Sequence, residues 1–278
     1  MKRRSLRILF LTAIPFWGAL AILTFAPGRG THDTDVAAVI FPEKTEGLVV
    51  LEPALFPYIE ITESCGPYFE GECVNMRSGP GKEFPTVSQL RRGVVLKVAG
   101  VVTHEGNEWY KMELEKNIRY PERVSGEWYV SADVADLLYD SGMHDLADNE
   151  ARAGTKTILI DRSEQKLYAY EGDALFMEEK ISTGIELTPT PRGTFTIYRM
   201  TPSRYMQGPL PDISEQYYDL PGVPWNLYFT KEGGVIHGAY WHDKFGQPRS
   251  NGCVNLPPDK ARELYLWAEL GTTVIVRD

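Results

Sequence analysis

A chain of 278 residues with 43% hydrophobic and 12% aromatic content can bury two modest cores, which excludes a disordered or fibrous polymer. Its formal net charge of -9 argues against a nucleic-acid partner, because following phosphates takes clustered Lys and Arg to displace counterions. The basic opening "MKRRSLR" precedes an uncharged run from Ile8 to Ala26, of a length between a signal-peptide core and a membrane span. We read 1–26 as an export segment. With no A-x-A cleavage site and Pro27 directly after Ala26, the reading favours an uncleaved membrane anchor, basic end inside and the rest of the chain outside. Disulfides persist in such compartments, so Cys65 and Cys73, close in sequence, are expected to pair, two independent buried cysteines being the alternative. Cys253 is then left as a free thiol.

Residues 27–64 carry Pro42, Pro53 and Pro57 and read as a linker leading into a first strand. From 65 to 140 short β-branched runs alternate with turn signals such as "SGPG" and "EGN", the pattern of a small all-β domain. The string "VNMRSGPGKEFPTVSQLRRGVVLKV", followed by "WYKMEL" and "GEWYV", resembles the bacterial SH3-like domain. That resemblance implies a small β-barrel that binds cell-wall peptide or glycan. "GPGK" lacks the G-x-x-x-x-G-K-[ST] spacing of a phosphate loop and is read as a structural turn. Residues 141–154 are polar and small, an interdomain linker in which His144 is expected to be solvated.

From 155 to 278 strands resume. "KTILID", "QKLYAY" and "ALFMEEKIST" predict a β-meander, and "TTVIV" a closing strand. Between them, "PPDKARELYLWAELG" predicts the one strong helix: Pro258 fits the first turn, Ala261, Leu264, Tyr265 and Ala268 share a face, and Gly271 ends it. Just before that helix lies "HGAYWHDKFGQPRSNGCVN". A cysteine nucleophile needs a base and a cradle for the oxyanion it creates. His237, ending the apolar strand "GVIHG", supplies a base, and the Gly238 carbonyl can orient its ring. The tight turn at Gly252 can aim the N–H groups of Gly252 and Cys253 at one point. Taken singly, a cysteine after glycine is more often a small core residue, and His237, His242 and Cys253 together could instead hold zinc.

"HGAYW" and "SNGCVNL" resemble the signature of the L,D-transpeptidase family with the YkuD-type catalytic domain. "ILIDRSEQKLYAYEG", "STGIELTPTPRGTFTI" and "GVPWNLYF" extend the likeness over the whole C-terminal domain. The resemblance implies a mainly β, β-sandwich-like catalytic domain with one helix after the nucleophile, needing neither metal nor other cofactor. It implies Cys253 as acylated nucleophile, His237 as base, Gly238 as its orienting carbonyl and Gly252 with Cys253 as oxyanion donors. Ser250, Asn251, Asn255, Trp225, Tyr228, Tyr240, His242, Arg204 and Tyr205 become expected substrate contacts. Many members carry His or Arg where this chain has Asn251. The stretch 199–222 reads as an insertion whose Arg204, Tyr205, Tyr217 and Tyr218 cover the cleft as a lid. The implied partners are peptidoglycan stem peptides, cross-linked by release of a terminal D-alanine. A carboxypeptidase using the same acyl-enzyme, or a non-catalytic wall-binding protein, is the alternative.

Overall fold

The structure, a computed structural model, describes residues 55–116, 118–142, 144–145, 155–211 and 213–278. The expected anchor at 1–26, and the expected linkers except for 55–64, 141–142 and 144–145, lie outside the described residues. Among the described residues no helix is long and apolar enough to cross a membrane.

Seven strands make the first sheet: β1 (Phe56–Glu60), β2 (Val74–Arg77), β3 (Thr86–Leu90), β4 (Val95–His104), β5 (Asn107–Met112), β6 (Tyr129–Ser131) and β7 (Asp136–Asp140). Their order is β3-β2-β6-β5-β4-β1-β7. β4 and β5 are joined by Glu105 and Gly106 alone, with His104 opposite Asn107 and both loop residues at positive φ, the turn that matches strand twist. β1 falls inside the stretch read as linker, yet it pairs with both β4 and β7. Its apolar alternation is broken by Glu60, which is buried and paired with Arg262 at 3.4 Å. Cys65 and Cys73 are joined as a disulfide that closes the loop between β1 and β2.

The remaining strands are β8 (His144–Asp145), β9 (Lys156–Asp161), β10 (Lys166–Glu171), β11 (Ala174–Lys180), β12 (Gly193–Thr196), β13 (Arg199–Leu210), β14 (Ser214–Tyr228), β15 (Val235–Gly238), β16 (Val254–Leu256) and β17 (Thr273–Arg277). They form two five-stranded sheets, β11-β10-β9-β17-β12 and β16-β15-β14-β13-β8. Ile158, Ile160, Leu167, Val274 and Val276 of one sheet share a core with Leu227, Ile236, Val254 and Leu256 of the other, giving a sandwich-like pair. His144 departs from the solvated reading. It pairs opposite Met200 in β8–β13 and bonds Ser141 Oγ through Nε2 at 2.8 Å.

The helix α1 (Pro258–Trp267) starts at Pro258 and buries Ala261, Leu264 and Tyr265. It ends four residues before Gly271: Ala268 turns extended while its N–H still reaches Leu264 O, and Gly271, at φ 93°, belongs to the turn into β17. The helix packs behind β14 and β15, on the core side of the Cys253 segment.

The stretch read as an insertion is the long β13–β14 hairpin, with a register shift between Arg204 and Met206. Its far half is clamped by the loop after β5. Tyr205 N–H donates to Glu115 Oε1 at 2.6 Å and Tyr120 N–H to Gln207 Oε1 at 2.7 Å. The Tyr120 hydroxyl donates to Pro209 O at 2.8 Å and Arg123 Nη1 to Gly208 O at 2.6 Å. Val223 and Tyr240 also pack into the first sheet's core beside Ile59, Leu90 and Val94.

Candidate active site

Two short segments meet at one end of the second sandwich sheet. β15 and β16 run parallel with His237 opposite Asn255, so the loop entering β16 delivers Cys253 beside Val235 at the start of β15. His237 is 1% exposed. Its Nδ1 lies 3.0 Å from Gly238 O; a carbonyl only accepts, so the proton sits on Nδ1 and Nε2 keeps its lone pair. That Nε2 is buried and has no hydrogen-bond partner among the described residues.

The Ser250–Cys253 loop is tied internally and from outside. Ser250 Oγ accepts from Gly252 N–H at 3.1 Å and donates to Cys253 O at 2.5 Å. Thr190 Oγ1 donates to Gly252 O at 3.0 Å while accepting from Gly184 N–H. Ser250 N–H and Arg249 N–H both reach Thr183 O, and Ile185 N–H reaches Ser250 O. Glycine is required at 184, where a Cβ would stand 2.1 Å from Thr188 O, and at 252, where φ is 108°. The "STG" and "TPTPRG" segments thus act as struts for "SNGC". One expectation changes here: the Gly252 N–H, expected as an oxyanion donor, is already engaged by Ser250 within the loop.

Cys253 is a free, partly exposed thiol whose S–H faces Gly233 O at 3.8 Å. It opens on a cavity of about 280 Å³ shared with His237, Trp241, Ser250, Asn251 and Asn255. Met206, Leu210, Tyr218 and Leu220 of the hairpin form a largely apolar wall, to which Gln216 adds an amide, and Arg91, from just after β3, and Arg249 complete the lining. Burial favours the neutral form of both the thiol and the imidazole. Burial pushes the Cys253 thiol up, opposed by the Arg204 charge and by the Val235 N–H. Burial drives His237 down to about 4 against the pull of the Gly238 carbonyl, with Arg204 adding to the fall.

Ser250, Asn251 and Asn255 line the cavity as expected contacts, but six other expected contacts do not. Trp225 is 2% exposed; with φ at +59° it packs its ring on Tyr265 at 5.2 Å, inside the core. Tyr228 lies under the Arg199 and Arg204 guanidinium groups, and Tyr240 is locked behind by its hydroxyl bond to Pro221 O at 2.6 Å. Tyr205 takes the opposite strand face from Arg204 and packs on Trp128 at 5.9 Å. His242 sits one layer back, its Nε2 accepting from Asn255 Nδ2 at 3.2 Å, and burial holds it down at about 4. Arg204 itself acts on the pair by charge without lining the cavity, and of the expected lid residues Tyr218 reaches the cavity while Tyr217 stacks under Arg123. Among the described residues no group of three or more His, Cys, Asp or Glu is placed to hold a metal ion. Met206, Leu210, Gln216 and Leu220 of the hairpin and the strut Thr190 were not among the expected site residues; Thr190 stood within the quoted "TPTPRG". Nothing local marked Arg91 within "LRRGV".

No curated protein matches the chain. Among solved structures it is similar to a Cys-to-Ser mutant of an Enterococcus faecium L,D-transpeptidase, 26% identical with a TM-score of 0.40, over 44% of this chain and only 50% of that one. It is also similar to an L,D-transpeptidase from Mycobacterium smegmatis, 22% identical, TM-score 0.42, covering 66% of this chain and 90% of that one. L,D-transpeptidase 3 from Mycobacterium tuberculosis is 16% identical, TM-score 0.42, over 65% and 98%. The family model of the L,D-transpeptidase catalytic domain, YkuD, matches residues 155–276, the segment that carries both His237 and Cys253. Over that segment, less than half of its length, the chain is similar to the YkuD family of L,D-transpeptidase catalytic domains.

Proposed function

We propose that the chain is a peptidoglycan L,D-transpeptidase that works through a Cys253 acyl-enzyme. The observation that carries the reading is the His237 ring: Nδ1–H fixed on the Gly238 carbonyl, and a bare, buried Nε2 in a residue that shares its cavity with a free thiol. Because burial favours the neutral form of both thiol and imidazole, the proton moves as the substrate is attacked. The S–H turns from Gly233 O to His237 Nε2, the sulfur bonds to the carbonyl carbon of the stem's third, diamino acid residue, and the carbonyl electrons move to oxygen. The Cys253 N–H is the donor this loop offers to that oxyanion, with Arg204 supplying positive potential. Collapse breaks the bond to the terminal D-alanine, whose nitrogen takes the proton back from His237, leaving a thioester. An amine of a second stem then attacks the thioester and gives its proton to His237, which passes it to the departing Cys253 sulfur and restores the neutral pair.

In the same reading 65–140 is an SH3-like module that holds wall polymer, and 1–26 keeps the enzyme at the outer face of the cytoplasmic membrane. The test is intact-protein mass spectrometry after incubation with a defined stem tetrapeptide or a carbapenem. Wild-type protein gains one acyl adduct and Cys253→Ala gains none. An adduct on the Ala variant, or none on the wild type, would falsify the assignment. Product analysis with a second stem present separates a cross-linked dimer from the tripeptide that water as acceptor would give.

A further inference from the structure

The lining of the Cys253 cavity is charged in one direction only. Arg91 and Arg249 face it, and among the described residues it contains no carboxylate, although the whole chain carries 38 Asp and Glu against 29 Lys and Arg. An acidic protein that shows two guanidinium groups and no acid to its reactive thiol has a cavity complementary to an anion.

Of the two, Arg91 is the built one. It comes from the first sheet, not from the catalytic domain, and the disulfide-closed loop holds it in place. Its Nη1 donates to Pro67 O at 3.0 Å, and its guanidinium lies between the rings of Phe69 at 4.5 Å and Tyr240 at 4.9 Å. The loop in turn reaches the catalytic domain, Tyr68 OH donating to Asp243 Oδ1 at 2.9 Å. Every bond Arg91 makes is to a neutral group, and its Nε is buried without a partner. Burial pushes the guanidinium below the usual arginine range, opposed by Tyr240 and by no carboxylate. A fixed, half-buried charge with no carboxylate partner inside a cavity is costly to the free protein and is relieved by an incoming anion.

We propose that Arg91 is a specificity-determining residue that accepts a free carboxylate of the donor peptide, so that the first sheet reads the substrate the catalytic domain cleaves. This rests on the acyl-enzyme reading above. The carboxylate has two sources in a stem peptide, the C-terminus of the terminal D-alanine and an internal carboxyl beside the scissile bond. Each can be removed singly by amidation.

The test uses the full chain and three tetrapeptides: the free acid, the C-terminal amide and the internal amide. Acylation of Cys253 by the free acid should exceed that by one of the two amides by about 10- to 100-fold in kcat/KM, as charge-assisted hydrogen bonds do. Which amide is slow identifies the carboxylate. Arg91→Gln should lose that factor on the free acid and lose nothing further on the slow amide, while Arg91→Lys retains part of it. The wild-type comparison needs no variant, so a folding defect in Arg91→Gln leaves the proposal testable. Equal rates for all three peptides on wild-type protein overturn it, as does an equal loss on all three in a folded Arg91→Gln protein. To keep this apart from failure of the acyl-enzyme reading, the same peptides are titrated calorimetrically into Cys253→Ala protein. There a preference for the free acid that is lost on adding Arg91→Gln sustains the carboxylate site even if no adduct forms, and no preference refutes it.

Discussion

Mild acid should weaken this fold through its two buried histidines. His237 and His242 are 1% and 6% exposed, and burial lowers both from an unfolded value of 6.5 to about 4. The unfolded chain therefore binds protons first as pH falls, and stability held above pH 6.5 is lost progressively on the way to pH 4. At 1.36 kcal/mol for each pH unit between the two values, each histidine withdraws about 2 kcal/mol by pH 5, about 4 kcal/mol for the two. That is a large part of the 5–15 kcal/mol, roughly, that keeps a domain folded. Glu60 and Glu115, raised by burial, act in the opposite sense because they take up protons earlier in the native state, so the raw pH slope is smaller than the histidine share. Urea denaturation of the wild type, His237→Gln and His242→Gln at pH 7.5, 6 and 5 isolates it. Each variant should lose about 2 kcal/mol of the acid dependence relative to the wild type. Parallel pH profiles in all three proteins would refute the reasoning, because they would mean the native histidines protonate as freely as unfolded ones.

Two further outcomes concern scaffold and loop. Trp225→Ala should cost about 3–5 kcal/mol in denaturant unfolding, as large core deletions do, and should leave the alkylation rate of Cys253 in folded protein unchanged, since Trp225 packs on Tyr265 and not in the cavity. Replacing Cys65 and Cys73 together by serine opens a loop spanning a sequence separation of 8 and should cost about 2.5 kcal/mol from chain entropy, read as a drop in denaturation midpoint. An unchanged midpoint would mean the loop is held by its other contacts, such as Tyr68 to Asp243.

What the sequence made legible was local. The β9–β10–β11 meander follows from runs of apolar alternation set off by turns, and the start of α1 from Pro258 with buried residues three and four apart. His237 and Cys253 were legible because each closes a short segment with its own glycine, and the Gly238 carbonyl bond is a contact between sequence neighbours. What was hidden depended on partners far along the chain. The burial of Glu60 at the end of β1 is such a case, eased by Arg262 and Trp225 from far along the chain. The aromatic residues near the motif were assigned to the cleft by proximity in sequence. Trp225 turns away through a positive φ, and Tyr240 is captured by Pro221 and Arg91. The Ser250 hydroxyl shows the limit at a single atom: its place in the site follows from the motif, but its hold on the Gly252 N–H needs the folded geometry.

The clamp on the β13–β14 hairpin bears on how such a protein can be recombined. One wall of the Cys253 cavity belongs to residues 155–278, yet Gly208 O and Pro209 O near its tip are satisfied by Arg123 and Tyr120 of the preceding part of the chain. The two parts are therefore not interchangeable cassettes. A chimera that borrows residues 155–278 alone inherits a hairpin whose tip hydrogen bonds end in the wrong neighbour. Exchange of either part has to carry Glu115, Tyr120 and Arg123 together with Tyr205 and Gln207 as one co-inherited set.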